Sequence, residues 1–244
     1  MANQSPLKIA ILINTPPGNE FRHDVRNSYT EIFRIMAPKA HLRFFDPVFA
    51  NEFPDPKMNP YDFLVLSGGK ADASSEEPWV LGVLHFVRRT VCETTKTKLL
   101  GICWGHQAIA RALGGEVQPV PTGPIAAVQD IRLTYAGRKF FGYAAEAGYY
   151  TAPEFHIREA AKPAPGFIHL AENHECFLNA TGTVLTFQAH PEVQSGLARK
   201  MLLEEDDVYN GNSTKEQLEE ELRKLMQPTD GIRLMERVVQ WIRE

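Results

Sequence analysis

Cysteine is scarce in this 244-residue chain: Cys92, Cys103 and Cys176 are the only three. They are too few and too scattered for a disulfide framework or a zinc cluster, so the expected compartment is the reducing cytoplasm. No apolar run approaches the roughly 20 residues that a membrane span needs. Basic residues are in no excess, with 26 Lys and Arg against 30 Asp and Glu. The net charge of −4 therefore offers no electrostatic footprint for nucleic acid or for an anionic membrane surface. Met1-Ala2-Asn3-Gln4-Ser5-Pro6 is polar and lacks the charged segment and apolar stretch of a secretory leader. Metal-ligand spacing is missing too, and no metal or cofactor is expected. Lys70 behind Gly68-Gly69 suggests a phosphate loop, but that motif needs a further glycine where Leu64 stands. No internal repeat, low-complexity tract or interdomain linker is visible.

What is present is ample apolar material for a large core. Leu7–Ile13, His41–Asp46, Tyr61–Leu66 and Lys98–Ile102 read as strands, the first almost uniformly apolar as in a strand covered on both faces. Val25, Tyr29, Ile32, Phe33 and Met36 fall at helical spacing, and Pro38 stops that helix. Pro47–Pro60 is proline-rich loop. Ser75–Cys92 reads as a helix capped by Ser75 with Trp79, Val80, Val83, Leu84 and Val87 on its apolar face. This succession of β–α units predicts an α/β fold: a mostly parallel central sheet covered by helices on both faces. After Gly115, short candidate strands (Glu116–Pro119, Asp130–Thr134, Thr151–Ile157, Phe167–Ala171, Cys176–Asn179 and Thr183–Gln188) predict a smaller antiparallel section. Arg138–Tyr143 reads as one helical turn. Beyond Pro191 the chain turns helical again. Glu204–Asp207 reads as a solvated acidic run, and Asn210-Gly211-Asn212 as part of a polar break. Ser213 is the expected cap of a helix to Met226, with Glu216 completing a capping box. Leu234, Val238, Trp241 and Ile242 give a last helix its packing face.

The most informative stretch is Leu99-Leu100-Gly101-Ile102-Cys103-Trp104-Gly105-His106-Gln107. A strand runs straight into a helix, with Cys103 on the turn and glycines two residues to either side. Lacking Cβ atoms, those glycines let strand and helix approach around a strained residue, an elbow that presents its side chain at the strand's carboxyl end. The helix N-terminus also favours thiolate over thiol. The plainer alternative is a small buried core cysteine. Gly68-Gly69, just beyond the third strand, reads either as backbone that must approach a ligand or as a simple turn. Thr183–Gln188 is followed by Ala189-His190-Pro191-Glu192, which places a histidine at a strand end in the same sheet. On extended backbone, residues two apart point the same way, so Glu192 can hold one imidazole nitrogen and leave the other facing the sulfur. A histidine in an ordinary turn is the competing reading.

Taken together, Leu66-Ser67-Gly68-Gly69, Gly101-Ile102-Cys103-Trp104-Gly105-His106-Gln107 and Gln188-Ala189-His190-Pro191-Glu192 resemble the class I glutamine amidotransferase domain in order and separation. The resemblance covers about residues 7 to 195 and leaves a helical extension of about 196 to 244. It implies a flavodoxin-like fold, with residues 1–244 forming one domain. It further implies a Cys103–His190–Glu192 triad and an oxyanion hole from the N–H groups of Gly69 and Trp104. Gln107 would be a glutamine-holding residue, with Gly68 and His156 beside it. Within the family the chain looks most like free-standing members such as the γ-glutamyl peptidases. The pattern around Glu76–Val80 ends in Trp-Val, and Gly105-His106-Gln107 follows the nucleophile. What this implies is hydrolysis of a γ-glutamyl amide through a thioester, on a small γ-glutamyl peptide or glutathione-type conjugate. A glutaminase feeding ammonia to a separate synthase partner, or a non-catalytic binding protein of the same fold, are the alternatives. One departure stands out. The family often has His-x-Asp in the strand over the substrate, where this chain has His156-Ile157-Arg158-Glu159. His106, His174 and Glu175 are equally compatible with pocket and core, and Cys176 reads as a core thiol.

Overall fold

In the computed structural model, residues 5–18, 20–55, 57–209, 211 and 213–244 are described. Met1–Gln4 of the polar N-terminus, Pro56 of the proline-rich loop, and Asn210 and Asn212 of the polar break lie outside the described residues. In chain order the first half gives β1 (Lys8–Leu12), α1 (Glu20–Met36), β2 (His41–Phe45), β3 (Phe63–Leu66), α2 (Pro78–Glu93), β4 (Lys98–Ile102) and α3 (Trp104–Ala112). The second half gives β5 (Glu116–Pro119), β6 (Ile125–Arg132), α4 (Tyr135–Phe140), β7 (Tyr149–His156), β8 (Arg158–Lys162), β9 (Phe167–His169), β10 (Cys176–Asn179) and β11 (Val184–Phe187). Four helices follow: α5 (Ser195–Glu204), α6 (Asp206–Tyr209), α7 (Lys215–Leu225) and α8 (Gly231–Ile242).

A seven-stranded sheet of order β2-β1-β3-β4-β11-β10-β9 forms the centre. Its first five strands are parallel, and β10 and β9 extend it antiparallel. Alternation along the strands sends Ile9, Ile11, Phe63, Val65, Leu100 and Ile102 to one face, against Tyr29, Ile32 and Phe33 of α1 and Leu234, Val238 and Trp241 of α8. Ala10, Leu12, Leu64, Leu66 and Leu99 point the other way, onto α2 and the Trp104–Ile109 face of α3. Covered on both sides, Ile9–Leu12 are fully buried, which is why β1 carries an unbroken apolar run. The expected α/β architecture is present, including the smaller antiparallel part: β5 pairs with β8 and β6 with β7.

Several expected boundaries are corrected. The link from β2 to β3 is not among them: as expected for Pro47–Pro60, it holds no helix among its described residues. Pro78, with its preset φ and no N–H to satisfy, opens α2; Glu77 sits at the N-cap and Ser75 does not cap. The Asp130–Thr134 strand is the end of a longer one, β6, paired residue for residue with β7 from Ile125↔His156 to Arg132↔Tyr149. β8 is a strand not foreseen. The cap of α7 is Thr214 with Gln217, one residue beyond the Ser213/Glu216 pair, because Ser213-Thr214-Lys215-Glu216-Gln217 fits the capping-box pattern in both registers. Within the acidic run Glu205 is not solvated: it is buried and paired with Lys70.

Candidate functional site

Cys103 stands between β4 and α3 at φ 50° and ψ −103°, a conformation that non-glycine residues rarely hold. Its N–H donates to Phe187 O at 2.8 Å, which ties the elbow to β11. The flanking glycines are sterically required. A Cβ on Gly101 would lie 2.5 Å from Gly105 O and 2.6 Å from Ile109 Cδ1, and one on Gly105 would run into the Leu66 carbonyl. Trp104 supplies the first amide of α3, one that the helix ladder leaves without an acceptor. Its indole stacks on Trp79 at 5.0 Å, which fixes the start of the helix.

His190 and Glu192 arrive from the carboxyl end of β11. The His190 N–H donates to Pro153 O at 2.8 Å, and the side chains pair through Nδ1 and Glu192 Oε1 at 2.9 Å. Both residues are buried, and Nε2 has no partner among the described residues. In the neutral ring, with Nδ1 donating to the carboxylate, Nε2 is left as the acceptor. Burial alone would depress this imidazole, but the Glu192 carboxylate and the Cys103 sulfur outweigh it and hold His190 well above the ordinary histidine range. The Cys103 thiol donates to Phe155 O at 3.5 Å. Ser28 Oγ donates to the Glu192 carbonyl and so anchors the loop to α1. Beneath the pair lies Tyr29, whose hydroxyl has no partner among the described residues and is pushed up first by burial, then by the charges of Glu192 and Cys103.

The glycine pair belongs to the same place. A Cβ on Gly68 would come within 2.8 Å of His190 Cε1, and one on Gly69 within 2.7 Å of Asn14 O. Asn14, just beyond β1, clamps this turn: its N–H donates to Ser67 Oγ at 2.9 Å and its Nδ2 to Ser67 O at 2.8 Å. Gly68, Gly69, Cys103, His190 and Glu192 all line one cavity of about 250 Å³, together with Gln107 and His156. The far wall is apolar, made by Phe21 and Val25 of α1, Val193, Met201 of α5 and Val208 and Tyr209 of α6. Gln107 Nε2 donates to Arg158 O at 2.7 Å and Gln188 Oε1 at 3.1 Å, so its amide is oriented by α3, β8 and β11 together. His156 sits between Arg158 O, 3.0 Å from Nδ1, and Glu154 Oε2, 3.3 Å from Nε2.

The three undecided residues separate. His106 is core: it stacks on Phe177 at 5.0 Å, Nδ1 meets Thr186 Oγ1 at 2.9 Å, and it does not line the cavity. Burial, then the neighbouring His156 and His174, lower its pKa to about 3, so the ring is neutral. His174 bonds Ala160 O at 2.8 Å. Glu175 lies behind His156, its carboxyl raised well above the usual range by burial and by the Glu154 charge. Glu154, His156 and Glu175 bring ligand-capable atoms within 4.8 Å of one another, a set that could hold a cation. A proton on Glu175 relieves the same charge crowding without one. Cys176 is a fully buried thiol, pushed up by burial. Sequence reasoning did not place Glu154 in the site. Its two-residue spacing from His156 on β7 was the available signal. The contributions of Phe21, Met201, Val208 and Tyr209 had no local signal at all.

Among the described residues, no helix is long and apolar enough to cross a membrane. The profile of the family described as Glutamine amidotransferase class-I matches residues 26–208. The glutamine amidotransferase-like protein chyE of Penicillium rubens is 53% identical over 245 residues, with all of both chains covered. Gamma-glutamyl peptidase 2 of Arabidopsis thaliana is 24% identical, with 87% of this chain and 86% of that one aligned. A crystal structure of a glutamine amidotransferase from Methylobacillus flagellatus superposes with a TM-score of 0.73 at 18% identity, covering 98% of this chain and 94% of that one, and shares the fold. With the family profile spanning most of its length, the chain belongs to the class I glutamine amidotransferase family.

Proposed function

We propose that this protein is a cysteine-dependent hydrolase of γ-glutamyl amide bonds, acting through a γ-glutamyl thioester on a small peptide or conjugate. The observation that carries the reading is the meeting of three features at one cavity: the strained elbow under Cys103, the His190–Glu192 pair, and the Gly68-Gly69 turn. His190 Nε2 takes the thiol proton while Glu192 holds Nδ1. The sulfur attacks the δ-carbonyl, and the oxyanion is met by the N–H groups of Gly69 and Trp104, each worth about 3 kcal/mol in comparable sites. His190 returns the proton to the leaving amine. Water, deprotonated by the same imidazole, then cleaves the thioester to glutamate and restores the thiol. Gln107, Gly68 and His156 flank the glutamyl part. The three free thiols suit a cytoplasmic setting, and the partner in this reading is the small-molecule substrate.

A glutaminase that passes ammonia to a separate synthase would use the same chemistry. The cavity volume of about 250 Å³ and its apolar lining from α1, α5 and α6 favour an amine larger than ammonia as the leaving group. Purified protein incubated alone with glutamine and with a γ-glutamyl dipeptide tests the choice. Glutamate release from the dipeptide, abolished in Cys103→Ala, is expected. Turnover only after a partner is added supports ammonia supply, and the absence of any γ-glutamyl adduct on Cys103 by mass spectrometry sinks both.

A further inference from the structure

We infer that Arg158 reads a carboxylate of the substrate, so that this cavity takes γ-glutamyl compounds carrying a free acid group at the Nε donor of that guanidinium. This rests on the hydrolase reading above. Besides the His190 imidazole, one lysine and one arginine line the cavity, Lys70 and Arg158. Lys70 is committed, paired with the buried Glu205 and lying over the Phe21 ring at 4.8 Å. Arg158 is committed at Nη2, with its neighbouring Nε unmet. Its Nη2 meets Asp72 Oδ2 at 2.6 Å, while its Nε is buried with no acceptor among the described residues. A guanidinium has five donors in a planar fork, and an unmet, buried, charged N–H is costly until an acceptor arrives. A carboxylate is the group that answers two parallel donors of such a fork.

The residue is also held as a recognition element must be. Its carbonyl accepts from Gln107 Nε2 at 2.7 Å and faces His156 Nδ1 at 3.0 Å, so the backbone of Arg158 is fixed relative to the helix that starts at Cys103. Asp72 in turn is fixed by Ser74, whose N–H and hydroxyl donate to Oδ1 at 2.8 and 2.6 Å. Asp72 therefore aims the guanidinium as a clamp and leaves the Nε donor beside it to a ligand. A γ-glutamyl dipeptide offers two acids, the α-carboxylate of the glutamyl group and the carboxylate of the departing amino acid.

The test compares γ-glutamyl-alanine with two neutralised relatives, one bearing an α-carboxamide on the glutamyl group and one ending in alaninamide. In the unmodified protein, one of the two replacements should raise KM about ten- to a hundredfold, the range expected for a hydrogen bond between charged groups, and so identify which acid is read. In Arg158→Gln the KM for γ-glutamyl-alanine should rise by a similar factor with kcat changed less than about threefold, and the penalty for that replacement should vanish. Arg158→Lys should restore part of the discrimination. If the unmodified protein turns over all three compounds with similar KM, or Arg158→Gln keeps the full discrimination, the assignment is overturned while the hydrolase reading stands. If none of the three is hydrolysed and no adduct forms on Cys103, the hydrolase reading falls and this inference falls with it. The comparison in the unmodified protein needs no variant to fold.

Discussion

His106 lies next to the elbow and invites confusion with His190, the base proposed above, and acid titration tests its assignment to the core. Its ring is fully buried against Phe177, with Nε2 unpartnered among the described residues and a pKa lowered to about 3. In the unfolded chain the same group titrates near 6.5. As the pH falls, the unfolded state therefore takes up the proton first. The stability this neutral ring allows is present above about 6.5 and is lost progressively down to about 3. Over the whole window the loss approaches about 5 kcal/mol, and between pH 7 and 4.5 it is about 2.5 kcal/mol. His106→Phe keeps the stack on Phe177 and removes the titration. It forfeits the contact with Thr186 Oγ1, a pH-independent cost of about 1 kcal/mol. Urea unfolding at pH 7 and pH 4.5, followed by tryptophan fluorescence, should show the unmodified protein losing about 2.5 kcal/mol more than His106→Phe over that interval. Equal losses in the two proteins would refute the assignment of His106 as a neutral core residue.

Glu192→Gln should lower kcat at least about a hundredfold with little change in KM, because the imidazole loses the charge that supports its protonated form. The same variant has a stability signature. The raised pKa of His190 adds stability that is complete below the unfolded value and is lost as pH rises through the folded one. Unfolding experiments on the alkaline side should accordingly show a fall in the unmodified protein that is flattened in Glu192→Gln. Gly105→Ala drives a methyl into the Leu66 carbonyl and should cost about 2 kcal/mol by denaturant midpoint while displacing the sulfur and reducing turnover. Trp241→Ala removes a ring packed edge-on to Phe63 at 6.3 Å and a donor to Gly182 O at 2.9 Å. It should destabilise by about 3–5 kcal/mol in the same assay.

The parallel half of the fold was legible because strands covered on both faces must be apolar throughout, as β1, β3 and β4 are. The antiparallel part was less so. β6 is half-exposed and mixed in character, and β8, Arg-Glu-Ala-Ala-Lys, has the composition of a helix and becomes a strand only by pairing with β5. Cys103, His190 and the glycine pair could be found because each sits at a strand end with a constraint written into its immediate neighbours. Arg158 and Glu175 reach the site region through pairings between β5 and β8 and between β10 and β11, contacts that leave no mark within a short window of sequence. The acidic run misled for the same reason. Lys70, which buries Glu205, stands far away along the chain.

Helix α8 carries a consequence for how the protein comes into being. Leu234, Val238 and Trp241 cover one face of the parallel sheet, and a Cβ on Gly231 would lie 2.5 Å from the carbonyl of Pro191, between His190 and Glu192. Asp230 is stitched to Thr151 of β7 by two hydrogen bonds, one in each direction, at 2.7 and 2.9 Å. A ribosome therefore releases Cys103 and His190 well before it releases the residues that press their loop into shape. A chain cut before Asp230 keeps Cys103, His190 and Glu192 but loses the Asp230 and Gly231 contacts that pack against their loop and against β7.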